Sequence, residues 1–147
     1  MTGREAGRGA APVAPHSPDT VLLAVVAAHR TGQPLHPELV ALGARYERDA
    51  VTAPVYRMIA LAGAGVARGG IVAAPEGGTA VEVELHRMPV AAVGTLLRAL
   101  PAPLAIGTVD LADESALGIV CVAAPADAVD ISEYGSWPAY LATLTLA

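Results

Sequence analysis

The sequence predicts an α+β domain, a small and mostly antiparallel barrel-like sheet with two or three short helices. Three patterns lead there. Val21–Ala27 is a continuous aliphatic run, the look of a strand buried on both faces. Val81, Val83 and Leu85 alternate with Glu82, Glu84 and His86, the two-residue period of a strand with one apolar and one polar face. Pro89 opens a segment in which Val90, Val93, Leu97 and Leu100 share one helical stripe, and Pro101 ends it. A chain of 147 residues has room for one ordinary domain with a real core.

In chain order, Met1 to about Asp19 mixes Gly, Ala, Pro and Arg without apolar periodicity or the hydrophobic run of a secretory signal, so residues 1–19 are expected to be a disordered leader and residues 20–147 the domain. The first strand runs into the loop His29-Arg30-Thr31-Gly32. Pro34 and Pro37 frame a helix from Pro37 to about Arg45, with Leu39, Val40 and Leu42 on its apolar side. Val55–Leu61 reads as a strand, Ala62–Gly70 as a glycine-rich turn, Ile71–Ala74 as a short strand and Gly77-Gly78 as a hairpin turn. After the proline-bounded helix, Leu104–Val109 and Leu117–Val122 read as strands joined by the polar Asp110–Ser115 turn. Ser136 is placed to cap a last helix carrying Trp137 and Tyr140, and Trp137, a lone large aromatic in a Phe-free chain, is expected to be buried.

Composition removes whole classes of function. The chain is 54% hydrophobic, yet no apolar run reaches the roughly 18 to 20 residues of a membrane span, which predicts a soluble protein. All nine basic residues are Arg; Lys, Phe and Asn are absent, a skew that follows from a GC-rich bacterial genome. Without Lys there is no Schiff-base chemistry, no P-loop grip on phosphate and no Ser-Lys amidase centre. A net charge of −5 with no basic cluster disfavours nucleic acid. Cys121 is the one cysteine, flanked by Ile119, Val120 and Val122, so neither a disulfide nor a multi-cysteine zinc site can form, and a buried thiol in a reducing cytoplasm is expected.

Several residues could carry chemistry. His29 follows a buried strand in a loop whose Gly32 allows close approach to a ligand, and imidazole exchanges protons near neutral pH. A loop histidine bonding a backbone carbonyl fits the same position. Arg30, Arg57 and Arg87 are candidate carboxylate partners, Arg57 first because it opens a strand in a charge-poor stretch. Glu82 and Glu84 read as an exposed polar face. The spacings of His29, His36 and His86 match no metal-binding motif, Gly63, Gly65, Gly69 and Gly70 lead into no helix that would receive a phosphate, and no Ser sits in a nucleophile elbow.

Five segments in order carry a family resemblance over about Val21 to Leu141: Val25-Val26-Ala27-Ala28-His29 with Gly32, Pro34 and Leu35; Thr52-Ala53-Pro54-Val55-Tyr56-Arg57; Val81-Glu82-Val83-Glu84; Pro101-Ala102-Pro103-Leu104 with Ile106-Gly107-Thr108-Val109; and Asp130-Ile131-Ser132 with Gly135, Trp137 and Tyr140-Leu141. Together they resemble the C-terminal domain of allophanate hydrolase, here as a free-standing chain without the amidase domain. The resemblance implies a γ-glutamyl cyclotransferase-like fold whose pocket lies beside the loop bearing His29. It implies urea and allophanate nitrogen metabolism, with decarboxylation of N-carboxycarbamate or a related small carboxylated amine. His29 would then be the proton donor, and Arg30, Gly32, Pro34, Leu35, His36, Tyr56 and Arg57 would bind substrate. No cofactor or metal is implied. The partners expected are a small dicarboxylate-like substrate and a separately encoded amidase, with a homodimer left open. Two alternatives remain, a non-catalytic small-anion-binding or assembly module and a cyclotransferase-like enzyme for another small amide; the stretch after the Val81–His86 strand lacks the Glu that cyclotransferases use. The chain departs from the family pattern at His36 (usually Asn), His86 (usually Trp), Ser136 (usually Gly) and Asp113-Glu114 (usually Asp-Gly).

Overall fold

A computed structural model describes residues 19–145, so the leader expected over residues 1–19 lies outside the described residues apart from Asp19. The strands are β1 (Thr20–Val25), β2 (Arg45–Val51), β3 (Tyr56–Leu61), β4 (Arg68–Ala73), β5 (Glu82–Pro89), β6 (Leu104–Asp110), β7 (Ser115–Cys121) and β8 (Val129–Asp130); the helices are α1 (His36–Ala41), α2 (Val90–Ala99) and α3 (Trp137–Thr145). Five strands form one sheet in the order β2-β5-β1-β7-β6, and three form a second in the order β4-β3-β8. Only the β1–β7 pairing is parallel among these strands. This is the expected mostly antiparallel α+β architecture.

β1 is the central strand of the larger sheet and is buried on both faces. Its Leu22 and Ala24 join a core between the sheets with Met58, Ile71, Leu85 and Trp137. Leu23 and Val25 join a second core, with Leu39 of α1, Met88, Leu96 of α2 and Ile119. A continuous aliphatic run is what such a strand requires.

Four expectations are corrected. The helix expected from Pro37 to about Arg45 spans only His36–Ala41; Gly43 adopts φ +90° where the chain turns, and Arg45–Val51 is a strand in a stretch with no sequence assignment beyond Arg45. β2 escapes the alternation rule because it is an edge strand whose charged side chains stay largely in water, the usual protection of a sheet edge. Glu84 and His86 are buried rather than exposed, because the segment after β1 and the neighbouring β2 cover that face of β5. On α2 the buried position is Leu96, while Val90 and Leu97 face water, so the stripe is rotated from the one expected.

The fourth correction concerns Arg68-Gly69-Gly70, which lie in β4 rather than in a turn. A Cβ at Gly69 would overlap the Trp137 ring and stand 2.8 Å from the Ile59 carbonyl oxygen, and one at Gly70 would stand 2.7 Å from Cys121 Sγ. These glycines are packing residues. Trp137 is 1% exposed, as expected, and α3 is capped by Ser136 Oγ, which accepts from the Ala139 N–H at 3.2 Å. Among the described residues no helix is long and apolar enough to cross a membrane.

Because a β-carbon at Gly69 meets both an indole ring and a backbone carbonyl, Gly69→Ala should lower stability by roughly 1 to 3 kcal/mol, the usual cost of overpacking. Urea unfolding reads it directly, and an unchanged midpoint would mean that Trp137 does not rest on β4.

Candidate functional site

The chain leaves β1 at Val25 and makes a buried turn before α1. Arg30 N–H donates to Ala27 O (3.0 Å), Gln33 N–H to Arg30 O (2.9 Å) and Leu35 N–H to Ala28 O (2.9 Å), and Gly32 supplies the left-handed residue at φ +85°. Consecutive side chains of this segment serve different neighbours, which gives it two chemically distinct sides.

On one side His29, only 4% exposed, lines a small cavity of about 10 Å³ with Val25, Arg68, Gly69, Leu104 and Ile119. That is room for about one water molecule. The cavity sits where the parallel strands β1 and β7 end. Arg68 also lines a larger cleft of about 420 Å³, between the Leu61–Ala64 stretch, Pro101–Pro103 and Asp127. Burial, then the charges of Arg68 and His36, push the His29 imidazole down to about 4, so it is neutral at pH 7. Its Nε2 lies 4.0 Å from a Glu38 carboxylate oxygen.

On the other side, Thr31, His36, Tyr46, Asp49 and Glu84 line an open cleft of about 410 Å³. Glu84 Oε1 accepts the Thr31 N–H at 2.8 Å, the Thr31 hydroxyl at 3.0 Å and His86 Nε2–H at 3.1 Å. Burial alone would raise the Glu84 carboxyl, but the donors on it, Thr31 N–H first, and the charge of Arg30 hold it below the usual carboxylate range. His86 is fully buried, and with Nε2–H committed to Glu84 its Nδ1 has no partner among the described residues. Protonation there would bury an unpaired donor, and desolvation accordingly pulls the His86 imidazole down against the pull of Glu84. His36 donates Nδ1–H to His29 O at 3.1 Å, and its ring centroid lies 5.5 Å from that of His86. His36 and His86 are therefore neighbours.

The structure brings His29, Arg30, Leu35 and His36 into this one segment, with Gly32 and Pro34 exposed near its tip. It does not bring Arg57 to His29. Arg57 Nε donates to Asp130 Oδ2 at 2.8 Å and Nη1 to Gly77 O at 3.1 Å, and it sits at the opposite end of β3 from Leu61, the residue paired with Arg68. The hydrogen bond from Arg57 holds the Asp130 carboxyl down at about 2. Tyr56 is a strut between the sheets, its hydroxyl accepting the Asp110 N–H at 2.8 Å. Arg87 pairs with Glu47. Sequence reasoning missed Arg68, although it is the only arginine between Arg57 and Arg87, and it missed Tyr46 and Asp49 along with β2. Among the described residues no group of three or more His, Cys, Asp or Glu side chains is placed to hold a metal ion.

The depressed His29 value makes a signed prediction. Below pH 6.5 the unfolded chain takes up a proton that native His29 refuses until about pH 4, so this residue lowers stability as pH falls through that window. The loss sums to on the order of 3 kcal/mol. His29→Gln should flatten the decline between pH 6.5 and 4 in urea-unfolding measurements. An undiminished decline would mean that His29 titrates normally.

Residues 21–142 match the allophanate hydrolase C-terminal domain. A urea amidolyase of Saccharomyces cerevisiae is 33% identical over 136 residues, covering 88% of this chain; the chain spans only 7% of that relative's length. The Kluyveromyces lactis allophanate hydrolase superposes with a TM-score of 0.80 at 31% identity, over 84% of this chain and 21% of that one. A uropathogenic E. coli-specific protein superposes with a TM-score of 0.75 at 33% identity, over 84% of this chain and 96% of that one. More remote solved chains share the γ-glutamyl cyclotransferase-like fold. Joined to the fold and the segment after β1, these matches establish that the chain belongs to the allophanate hydrolase C-terminal domain family.

Proposed function

We propose that this domain takes a small dianionic carboxylated amine of the N-carboxycarbamate type and decarboxylates it, with His29 as proton donor and Arg68 as carboxylate partner. The observation that carries the reading is the pairing of a buried, neutral imidazole with a guanidinium around one cavity at the ends of two parallel strands. Family membership and the urea amidolyase relatives support the substrate class.

The chemistry balances with the residues at hand. The bond between nitrogen and one carboxylate carbon breaks, carbon dioxide leaves, and the electron pair stays on nitrogen, which takes a proton from His29; solvent then reprotonates the imidazole. Arg68 holds the carboxylate that remains as carbamate. An imidazole held near 4 is seldom charged at pH 7, but a dianion beside it stabilises the imidazolium, so the substrate itself recruits the proton that the reaction consumes. Such a positioned acid contributes about 10² to 10⁴-fold. Arg30, Gly32, Pro34, Leu35 and His36 serve this reading by shaping the segment that presents His29. Acting beside a separately encoded amidase, in the cytoplasm, remains part of the proposal.

The size of the His29 cavity favours a second reading. The space beside the imidazole, about 10 Å³, is too small for a dicarboxylate, so a substrate reaches it only if the residues lining the cavity move, whereas Arg68 also lines the larger cleft. If they do not, Arg68 takes an anion in the cleft, His29 stays out of the chemistry, and the domain is a small-anion-binding module.

Malonate, a stable dicarboxylate, separates the two. By calorimetry, Arg68→Ala should weaken binding about ten- to a hundredfold, the worth of a lost charge-assisted bond, while Arg57→Ala should leave it unchanged. Proton uptake on binding, read from buffers of different ionisation enthalpy and abolished in His29→Gln, supports the catalytic reading. Binding without proton uptake that survives His29→Gln supports the module. Affinity unchanged in Arg68→Ala removes the site.

A further inference from the structure

Three consecutive residues after β1 are each fixed by a different group. The His29 carbonyl accepts from His36 Nδ1 at 3.1 Å, the Arg30 guanidinium donates to the Glu82 carbonyl at 3.3 Å, and Thr31 gives both its N–H and its hydroxyl to Glu84 Oε1, at 2.8 and 3.0 Å. Glu84 lies opposite Val25 in the β1–β5 ladder, at the point where the chain leaves the sheet. Thr31 itself is exposed, so without Glu84 its amide would turn to water.

Burying a carboxylate is costly, and one needed only for packing would be replaced at a profit by an apolar side chain. Here the buried ion grips the backbone two residues beyond His29. His86 is the third donor to the same oxygen and also packs against His36, so one buried ring backs both anchors.

We infer that Glu84 is a positioning residue for His29: by fixing Thr31 it sets the direction in which the segment leaves β1, and so keeps the His29 side chain in its cavity beside Arg68, with His86 keeping the carboxylate on Thr31. This rests on the reading of His29 given above, and the test is built so that the two can fail separately.

The variants are Glu84→Gln, which leaves Thr31 an acceptor oxygen but takes away the charge that strengthens its hydrogen bonds, Thr31→Val, which removes the hydroxyl bond and leaves the N–H bond, and Thr31→Ser, which restores the hydroxyl. The readout is the titration of the His29 imidazole by nuclear magnetic resonance, assigned with His29→Gln, together with malonate affinity. In Glu84→Gln and Thr31→Val the His29 midpoint should climb by about one unit from its value near 4 as the imidazole gains water, and malonate should bind about tenfold more weakly. Thr31→Ser should restore both. A purely structural Glu84 would lower the melting temperature and leave the His29 midpoint where it is, and that result overturns the inference. If Glu84→Gln does not fold, Glu84→Asp, which keeps the charge but shortens the carboxylate's reach to both Thr31 donors, decides by the same criterion. If wild type does not bind malonate, the proposed function falls, while the His29 midpoint still decides whether Glu84 positions it.

Discussion

A carboxylate taken out of water must be given hydrogen-bond donors or it reprotonates, and Glu84 receives three on one oxygen, two of them from Thr31. That contact joins the two parts of the molecule that matter most, the β1–β5 ladder and the segment that leaves β1. The ladder is rigid because β1 is buried on both faces, with Leu22 and Ala24 in one core and Leu23 and Val25 in the other. The following segment has no ladder of its own. It takes its order from Glu84 and the Glu82 carbonyl, more than 50 positions away in β5, and from His36 at the start of α1, so the placement of His29 depends on residues outside the segment's own turns.

The same segment divides the local electrostatics. Toward β4 it presents the neutral His29 imidazole, which meets the Arg68 guanidinium across the cavity and the Glu38 carboxylate at 4.0 Å. Toward Tyr46 and Asp49 it presents the Glu84 carboxylate and His36. The first side has a guanidinium among its lining residues to pair with a carboxylate and the second has none, which is why the functional proposal lies with His29 and Arg68 while Glu84 is assigned a supporting role.

Much of the fold was legible in the residues. The aliphatic run of β1, the proline-bounded α2, the hairpin of β6 and β7 and the Ser136 cap follow from local patterns, and all are present. β2 was not legible because an edge strand lying largely in water carries no alternation. Gly69 and Gly70 read as a turn because composition does not distinguish a glycine that bends the chain from one that makes way for Trp137 or Cys121. For the site, the importance of the segment around His29 could be read, but the identity of its arginine could not. Arg57 is engaged by Asp130, 73 positions away, and Arg68 arrives through β4, a strand hidden in that glycine-rich stretch. Burial of Glu84 was equally out of reach, since it depends on coverage by Thr31 and its neighbours rather than on anything in β5.

The account depends on the Thr31 N–H being held by Glu84, and amide hydrogen exchange of the native protein measures that bond directly. Thr31 is an exposed residue outside any strand or helix, and its N–H donates to the Glu84 carboxylate. The account predicts that it nevertheless exchanges as slowly as amides of the β1–β5 ladder. Exchange as fast as that of the exposed amides between Ala62 and Val66 would mean that Glu84 does not hold the segment, and the placement of His29 would lose its physical basis.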